Sequence, residues 1–306
     1  MWHELPLVIF TIAAQMSVGS FVVLGLIHLL NWNTPQATLD KVTMPALYAI
    51  GPLLVLGLAA STLHLGSPLR AANALLHLQS SWLSREILLG MFFAGSGALF
   101  AVLQWFRLGS HRLRQALALV TAIIGLSLVY AISQVYSLRT IPAWSTFNTP
   151  LRFYITTFLL GGVAVAAALV VASFIRRRRG GPVDLEARAL ITRTIQAISF
   201  GSIFMLGLKF IAQPAYMAYL GTEGSAAAQA TLEMLSGEYM VLSAAQNILI
   251  FLGVAGLGFL LFRMAGSQGG WSKLLPITTV AAFVLILSGE FIGRLLFYAT
   301  MVRVGI

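Results

Sequence analysis

The chain has 306 residues, of which 58% are hydrophobic and only 9% charged, with a mean hydropathy of +0.89. Soluble globular chains are about 45–50% apolar and about 25% charged, so this composition excludes an ordinary soluble enzyme, a disordered chain and a disulfide-stapled secreted domain. Cysteine is absent, which removes thiol nucleophiles, disulfides and thiolate-held zinc or iron–sulfur clusters; Lys and Arg outnumber Asp and Glu by 19 to 9.

A bilayer core about 30 Å thick needs about 20 apolar residues per spanning helix. Eight stretches qualify, at about 5–30, 44–65, 84–107, 113–138, 151–175, 188–213, 240–263 and 274–300. Turn and charge signals separate them, among them Gly66-Ser67-Pro68, Gly109-Ser110-His111, Thr149-Pro150, Arg176 to Pro182 and Gly266 to Gly270. No basic segment precedes Leu5, so the first run reads as a span and not as a cleaved signal. The expected fold is all-α: one polytopic bundle of eight transmembrane helices over residues 1–306.

Basic residues concentrate in the odd loops, at Lys41, Arg107, Arg112, Arg114, Arg176 to Arg179, Arg263 and Lys273. Glu223, Glu233 and Glu238 fall together in the sixth loop. The positive-inside rule makes the odd loops cytoplasmic and puts both termini on the outer, periplasmic side. In so apolar a chain the Arg176–Arg179 run reads as a topology anchor beside anionic lipid, not as a nucleic-acid patch.

An ionisable group at mid-membrane costs about 2.5–3.5 kcal/mol, so each such group asks for a reason. Gln15 lies about 15 Å in from the outer end of its helix. His64 ends the second span, Glu86 starts the third, Lys209 and Gln213 approach the outer end of the sixth, and Glu290, Arg294 and Tyr298 stand at successive i, i+4 positions on the last. The polar groups therefore share the outer leaflet, and the inner halves read as nearly bare apart from Arg193. One pocket built from several helices and opening near the outer surface produces this pattern. Each residue also has a structural reading. Glu290 and Arg294 form an i, i+4 ion pair; His64 is an interfacial helix end; Glu86 is a first-turn acid on the helix dipole; Gln15 is interhelical glue; Tyr298 and Trp82 belong to an aromatic belt.

The five histidines include no two at one depth inside facing helices, so no b-type haem is expected, and no metal site is expected either. Gly161-Gly162 and Gly253, Gly256 and Gly258 fall within spans and read as close helix packing.

Several segments together resemble one family. They are the opening Trp2 to Thr11; His64-Leu65-Gly66-Ser67-Pro68-Leu69-Arg70-Ala71 followed by Asn73; Ser84-Arg85-Glu86-Ile87; Thr140-Ile141-Pro142-Ala143-Trp144; and Gly289-Glu290-Phe291-Ile292-Gly293-Arg294 with Phe297-Tyr298. The chain resembles the membrane anchor subunit of dimethyl sulfoxide reductase, the DmsC type, over its whole length. The resemblance implies a haem-free anchor in the bacterial inner membrane. It also implies that the anchor oxidises menaquinol as bound substrate and passes electrons to an iron–sulfur partner subunit, which serves a molybdopterin catalytic subunit, both docked on the periplasmic side. It places His64 and Glu86 in quinol oxidation; the shared outer-leaflet depth adds Gln15, Glu290, Arg294 and Tyr298, with Arg70 from the His64 segment, as further expected quinol-binding residues. Arg85, where the family has Asn, and the basic 176–188 region depart from the pattern. The anchor of another S- or N-oxide, selenate or polysulfide reductase, a secondary transporter using Glu86, Glu290 and Arg294 as an ion path, and an inert structural anchor are the competing readings.

Overall fold

Serine and aspartate caps punctuate the chain. Ser81, Ser110, Asp184 and Ser225 each accept, through a side-chain oxygen, the backbone N–H three residues on, which satisfies a donor that the first helical turn leaves free. The computed structural model describes residues 5–64, 77–180, 184–266 and 274–305, with the side chains of 49, 54, 56, 58–64, 265 and 266 outside the description. Among the described residues there are nine helices and no strand: α1 Leu5–Leu30, α2 Gln36–His64, α3 Trp82–Trp105, α4 His111–Tyr136, α5 Asn148–Arg178, α6 Leu185–Thr222, α7 Ala226–Ser236, α8 Met240–Gly266 and α9 Leu274–Ala299.

Seven of these are long and apolar enough to cross a membrane, all but α2 and α7. Three elements differ from the sequence reading. Helix α2 starts at Gln36 and contains Pro45 and Pro52. Helix α6 runs through Pro214 for 38 residues, about 57 Å at 1.5 Å per residue, and so projects beyond a bilayer core of about 30 Å. The 11-residue α7 forms within the sixth loop.

Helix α1 is the hub. It packs against α2, α4, α5 and α9, while α3 leans on α4 and α8 pairs with α9 and α6. The α1–α5 crossing is closed by glycine on both sides. A methyl on Gly19 would lie 1.9 Å from the Thr157 carbonyl oxygen, and one on Gly161 would lie 2.1 Å from the carbonyl carbon of Gly19. The Ser20 hydroxyl bridges the crossing to the Gly161 carbonyl at 3.3 Å. Small residues of this kind let membrane helices approach backbone to backbone. Gly161→Val is expected to destabilise the protein by about 3 kcal/mol, the upper end of overpacking costs, because the obstacle is backbone that cannot rotate away. Gly162→Ala, whose methyl meets only the Ile198 side chain at 3.2 Å, is expected to cost much less. Thermal midpoints of the two variants in detergent check the difference.

The loops alternate between two ends of the bundle. At the odd-loop end, Lys41 pairs with Asp184 and the Thr38 hydroxyl donates to Glu186 at 3.2 Å. The Lys41 ammonium and the Ala187 N–H hold the Asp184 carboxyl below its ordinary value of 3.8. A depressed carboxyl contributes stability above its unfolded-state value and loses it as pH falls through the folded one. Asp184→Asn keeps the cap and removes the charge. Its thermal midpoint is expected to lie slightly below the parent's at pH 7 and to meet it below pH 3.8.

The odd-loop end is not bare. Thr43 and His28 share a hydrogen bond of 3.1 Å, Gln104 donates to Asp40, the 1% exposed Arg114 reaches Gln104 at 3.5 Å, and Gln115 donates to the Trp32 carbonyl at 3.3 Å. His28, Gln104, Arg114 and Gln115 stand in terminal turns and Thr43 two turns into α2, where a sequence places them near the interface; packing of α1 to α4 buries all five. Arg193, the one polar residue expected there, is exposed.

Candidate functional site

The periodicity of α9 aligns Glu290, Arg294 and Tyr298 on one face, and all three are buried. The neighbouring face carries Gly289 and Gly293. A methyl on Gly289 would stand 2.5 Å from the Ile250 side chain, and one on Gly293 would stand 2.4 Å from Nε2 of Gln246. These glycines seat α9 against α8 and leave the charged face turned toward α1, α5 and α6.

Glu290 is held from two helices. Lys209 of α6 approaches Oε1 at 2.6 Å, and the Thr156 hydroxyl of α5 donates to Oε2 at 2.7 Å. Arg294 does not pair with Glu290. It donates to Oε1 of Gln15 on α1 at 2.7 Å, and Gln15 in turn donates to the Phe153 carbonyl at 3.1 Å. The guanidinium lies 3.9 Å from the centre of the Phe153 ring and 5.4 Å from that of Phe297, a cation–π arrangement. The expected i, i+4 pair within α9 is thus replaced by contacts between helices. Lys209 takes the carboxylate and α1 takes the guanidinium, so the four residues tie α1, α5, α6 and α9 together.

Tyr298 donates its hydroxyl hydrogen to the Tyr136 hydroxyl of α4 at 2.8 Å, with Thr11 alongside. Tyr136 also meets Trp144, Phe297 and Tyr298 edge to face at 5.5–5.7 Å. Trp144, from the fourth loop, stacks on Phe297 at 4.7 Å and donates its indole N–H to the Phe297 carbonyl at 3.1 Å. These rings form the even-loop side of the polar cluster.

Glu86 is half-buried in the first turns of α3, close enough to Tyr136 and Tyr298 to interact electrostatically with both. Arg85 turns elsewhere. It donates to the carbonyls of Leu78 and Gln79 at 2.8 and 2.6 Å and lies 4.3 Å over the Trp82 ring, which also stands edge to face with Tyr130. Arg85 therefore serves the helix start. His64 is the last residue of α2, with its side chain outside the described residues; Arg70, Asn73 and the segment 65–76 lie outside them altogether.

Two spaces adjoin this constellation. A cavity of about 20 Å³ sits among Arg152, Thr156, Lys209, Gln246, Glu290 and Arg294, enough for one water and too small for an aromatic ring. A shallow groove of about 600 Å³ runs between α3 and α4, lined by Trp82, Arg85, Leu89, Ser127, Tyr130 and Tyr154. Small-molecule sites occupy about 300–1,000 Å³. Among the described residues no three His, Asp or Glu side chains gather as for a metal ion.

The structure thus gathers Gln15, Glu290, Arg294 and Tyr298 into one buried cluster held by three separate hydrogen-bonded sets, Arg294 with Gln15, Glu290 with Lys209 and Thr156, and Tyr298 with Tyr136, and sets Glu86 near the tyrosines. Sequence reasoning missed Tyr136, Thr156 and Phe153, and it noticed Lys209 without giving it a partner. Thr156 and Phe153 look like ordinary span filler. Tyr136, at a helix end, looks like one more belt aromatic.

A family model described as the DMSO reductase anchor subunit (DmsC) matches residues 1–300. Among known proteins, the sequence is 31% identical over 305 residues to the C subunit of the anaerobic dimethyl sulfoxide reductase of Escherichia coli K12, covering 99% of this protein and 97% of that one. It is 31% identical over 306 residues to the protein of the same name from Haemophilus influenzae, covering 99% and 96%. The YnfH subunit of an anaerobic dimethyl sulfoxide reductase of Escherichia coli K12 is again 31% identical, over 309 residues, covering 99% and 97%.

Proposed function

We propose a function from one premise: the chain belongs to the DMSO reductase anchor subunit (DmsC) family. It is accordingly a multi-pass membrane protein and the anchor of a DMSO reductase complex. Within that frame its own role is to oxidise menaquinol at the even-loop end and hand the electrons to an iron–sulfur partner subunit, which serves a molybdopterin catalytic subunit. Helix α2 is the eighth span. The odd loops, with their basic excess, face the cytoplasm; the termini and the docked partners face the periplasm; and the membrane is the bacterial inner membrane.

Quinol oxidation releases two protons and two electrons. The electrons would pass one at a time to the iron–sulfur partner subunit, while one proton goes to a side-chain base and the other leaves to water at the outer surface. A free histidine titrates near 6.5, which suits a general base at neutral pH, and His64 takes the proton of one quinol hydroxyl. Glu86 orients the histidine or carries the proton outward. Arg294, held by Gln15 and two aromatic faces, fixes the pocket with Glu290. The Tyr298–Tyr136 hydroxyl pair lies between that charged group and Glu86, and Arg70 completes the contacts from the second loop. The ring enters from the bilayer, with the apolar α3–α4 groove receiving the isoprenoid tail.

The observation that carries this reading is the convergence of Gln15, Glu290, Arg294 and Tyr298 at the same end of the bundle as Glu86. Residues scattered only to snorkel would not all be buried at one end of the bundle against partners on neighbouring helices. The test is quinol-dependent turnover of the assembled complex carrying His64→Ala. Loss of turnover with intact assembly is expected, and full turnover would overturn the assignment.

A further inference from the structure

The small cavity at the heart of the charged cluster has a charge imbalance. Arg152 of α5, Lys209 of α6 and Arg294 of α9 line it together with one carboxylate, Glu290. Both oxygens of that carboxylate are engaged, by Lys209 and by Thr156. Lys209 and Glu290 neutralise each other, which leaves the charges of Arg152 and Arg294. Arg294 has only the neutral Gln15 amide and two ring faces. Arg152 is half-buried, and among the described residues its guanidinium has no carboxylate partner. Its nearest aromatic face is Tyr216, at 5.9 Å. It acts electrostatically on both Lys209 and Arg294.

Guanidinium groups keep their proton in proteins, so neither charge is relieved by titration. Buried charges without a partner are costly. The membrane setting makes ionisable groups pair or line a polar cavity.

We propose that Arg152, Lys209 and Arg294 bind a small inorganic monoanion of chloride size. The cavity of about 20 Å³ admits a single-atom ligand but not sulfate, phosphate or a quinol ring. Gln246, 4% exposed and seated against Gly293, and Thr156 supply polar lining around it. A second cavity of about 10 Å³ shares Arg152 and Gln246 with it and is lined further by Gln213, Tyr216, Ser243 and Thr300. The same three cations oppose passage of a hydrated proton, as an arginine does in a selective pore, so the cavity they line suits an anion and not a proton. The site shares Arg294 and Glu290 with the quinol pocket proposed above, but its test needs no quinol, and a bound anion would hold the α5–α6–α9 junction together.

The test uses the full-length protein purified in detergent, with sodium gluconate replaced stepwise by sodium chloride at constant ionic strength. The thermal midpoint of the parent is expected to rise saturably with chloride and with bromide, but not with sulfate. Arg152→Gln is expected to lose the saturable rise, and Arg152→Lys, which keeps the charge, to retain it. A parent midpoint indifferent to chloride, a response to sulfate equal to that to chloride, or an undiminished chloride response in Arg152→Gln would each overturn the proposal. The parent series alone decides the matter if a variant fails to fold.

Discussion

Glu290→Gln is expected to destabilise the protein by about 3–5 kcal/mol, the cost of leaving one member of a buried ion pair without its partner. Lys209 would remain 7% exposed beside a neutral amide, with Arg152 and Arg294 nearby and no carboxylate among the cavity's lining residues. Lys209→Met should cost less, because Glu290 keeps its hydrogen bond from Thr156 at 2.7 Å. The double variant Lys209→Met with Glu290→Leu should be more stable than Glu290→Gln, since replacing both charges removes the desolvation penalty along with the attraction. Thermal midpoints and the amount of protein accumulating in the membrane read out all three. A Glu290→Gln protein as stable as the parent would mean that the pair is not holding α6 to α9.

The second large effect is on turnover. Glu86→Gln keeps the shape of the side chain at the start of α3 and removes its ability to carry a proton. Base catalysis by a positioned side chain is worth about 10²- to 10⁴-fold, and a loss in that range is expected in quinol-dependent turnover of the assembled complex. Activity with an artificial donor that reduces the partner directly should be unchanged. A fall in both activities would instead report damage to the docking of the partner. Tyr298→Phe serves as a milder companion. It removes the hydroxyl that donates to Tyr136 at 2.8 Å while keeping the ring contacts with Phe297 and Tyr136, so its turnover should fall by less than that of Glu86→Gln.

Much of the bundle was legible in the order of residues because apolar runs bounded by Ser, Gly and Pro mark helices directly. The start of α2 was not, because Thr38, Asp40 and Lys41 read as loop; the fold pairs Asp40 with Gln104 and Lys41 with Asp184, and so keeps that polar first turn helical. The end of α6 was not, because the apolar run gives out at Gln213, whereas the helix carries on through Pro214 to Thr222. For the site, depth along each helix was enough to gather Gln15, Glu290, Arg294 and Tyr298. The pairing was not accessible in that way. An i, i+4 spacing shows that Glu290 and Arg294 can meet, but only the positions of α1, α5 and α6 show that each has a better partner elsewhere. Tyr136 and Thr156 stayed hidden for the same reason: their roles come from which helix faces them, and nothing in their own neighbourhoods marks it. His64 and Arg70 rest on the family motif.

The most direct measurement is a fluorescence titration of a quinol-analogue inhibitor into the purified membrane complex and into its His64→Ala and Glu86→Gln variants. Saturable binding by the parent that is lost or greatly weakened in both variants is the predicted result, and it would place the quinol between the end of α2 and the start of α3. Binding of equal strength in parent and variants would remove His64 and Glu86 from the site, and an intact parent complex with no saturable binding would contradict quinol oxidation by this protein.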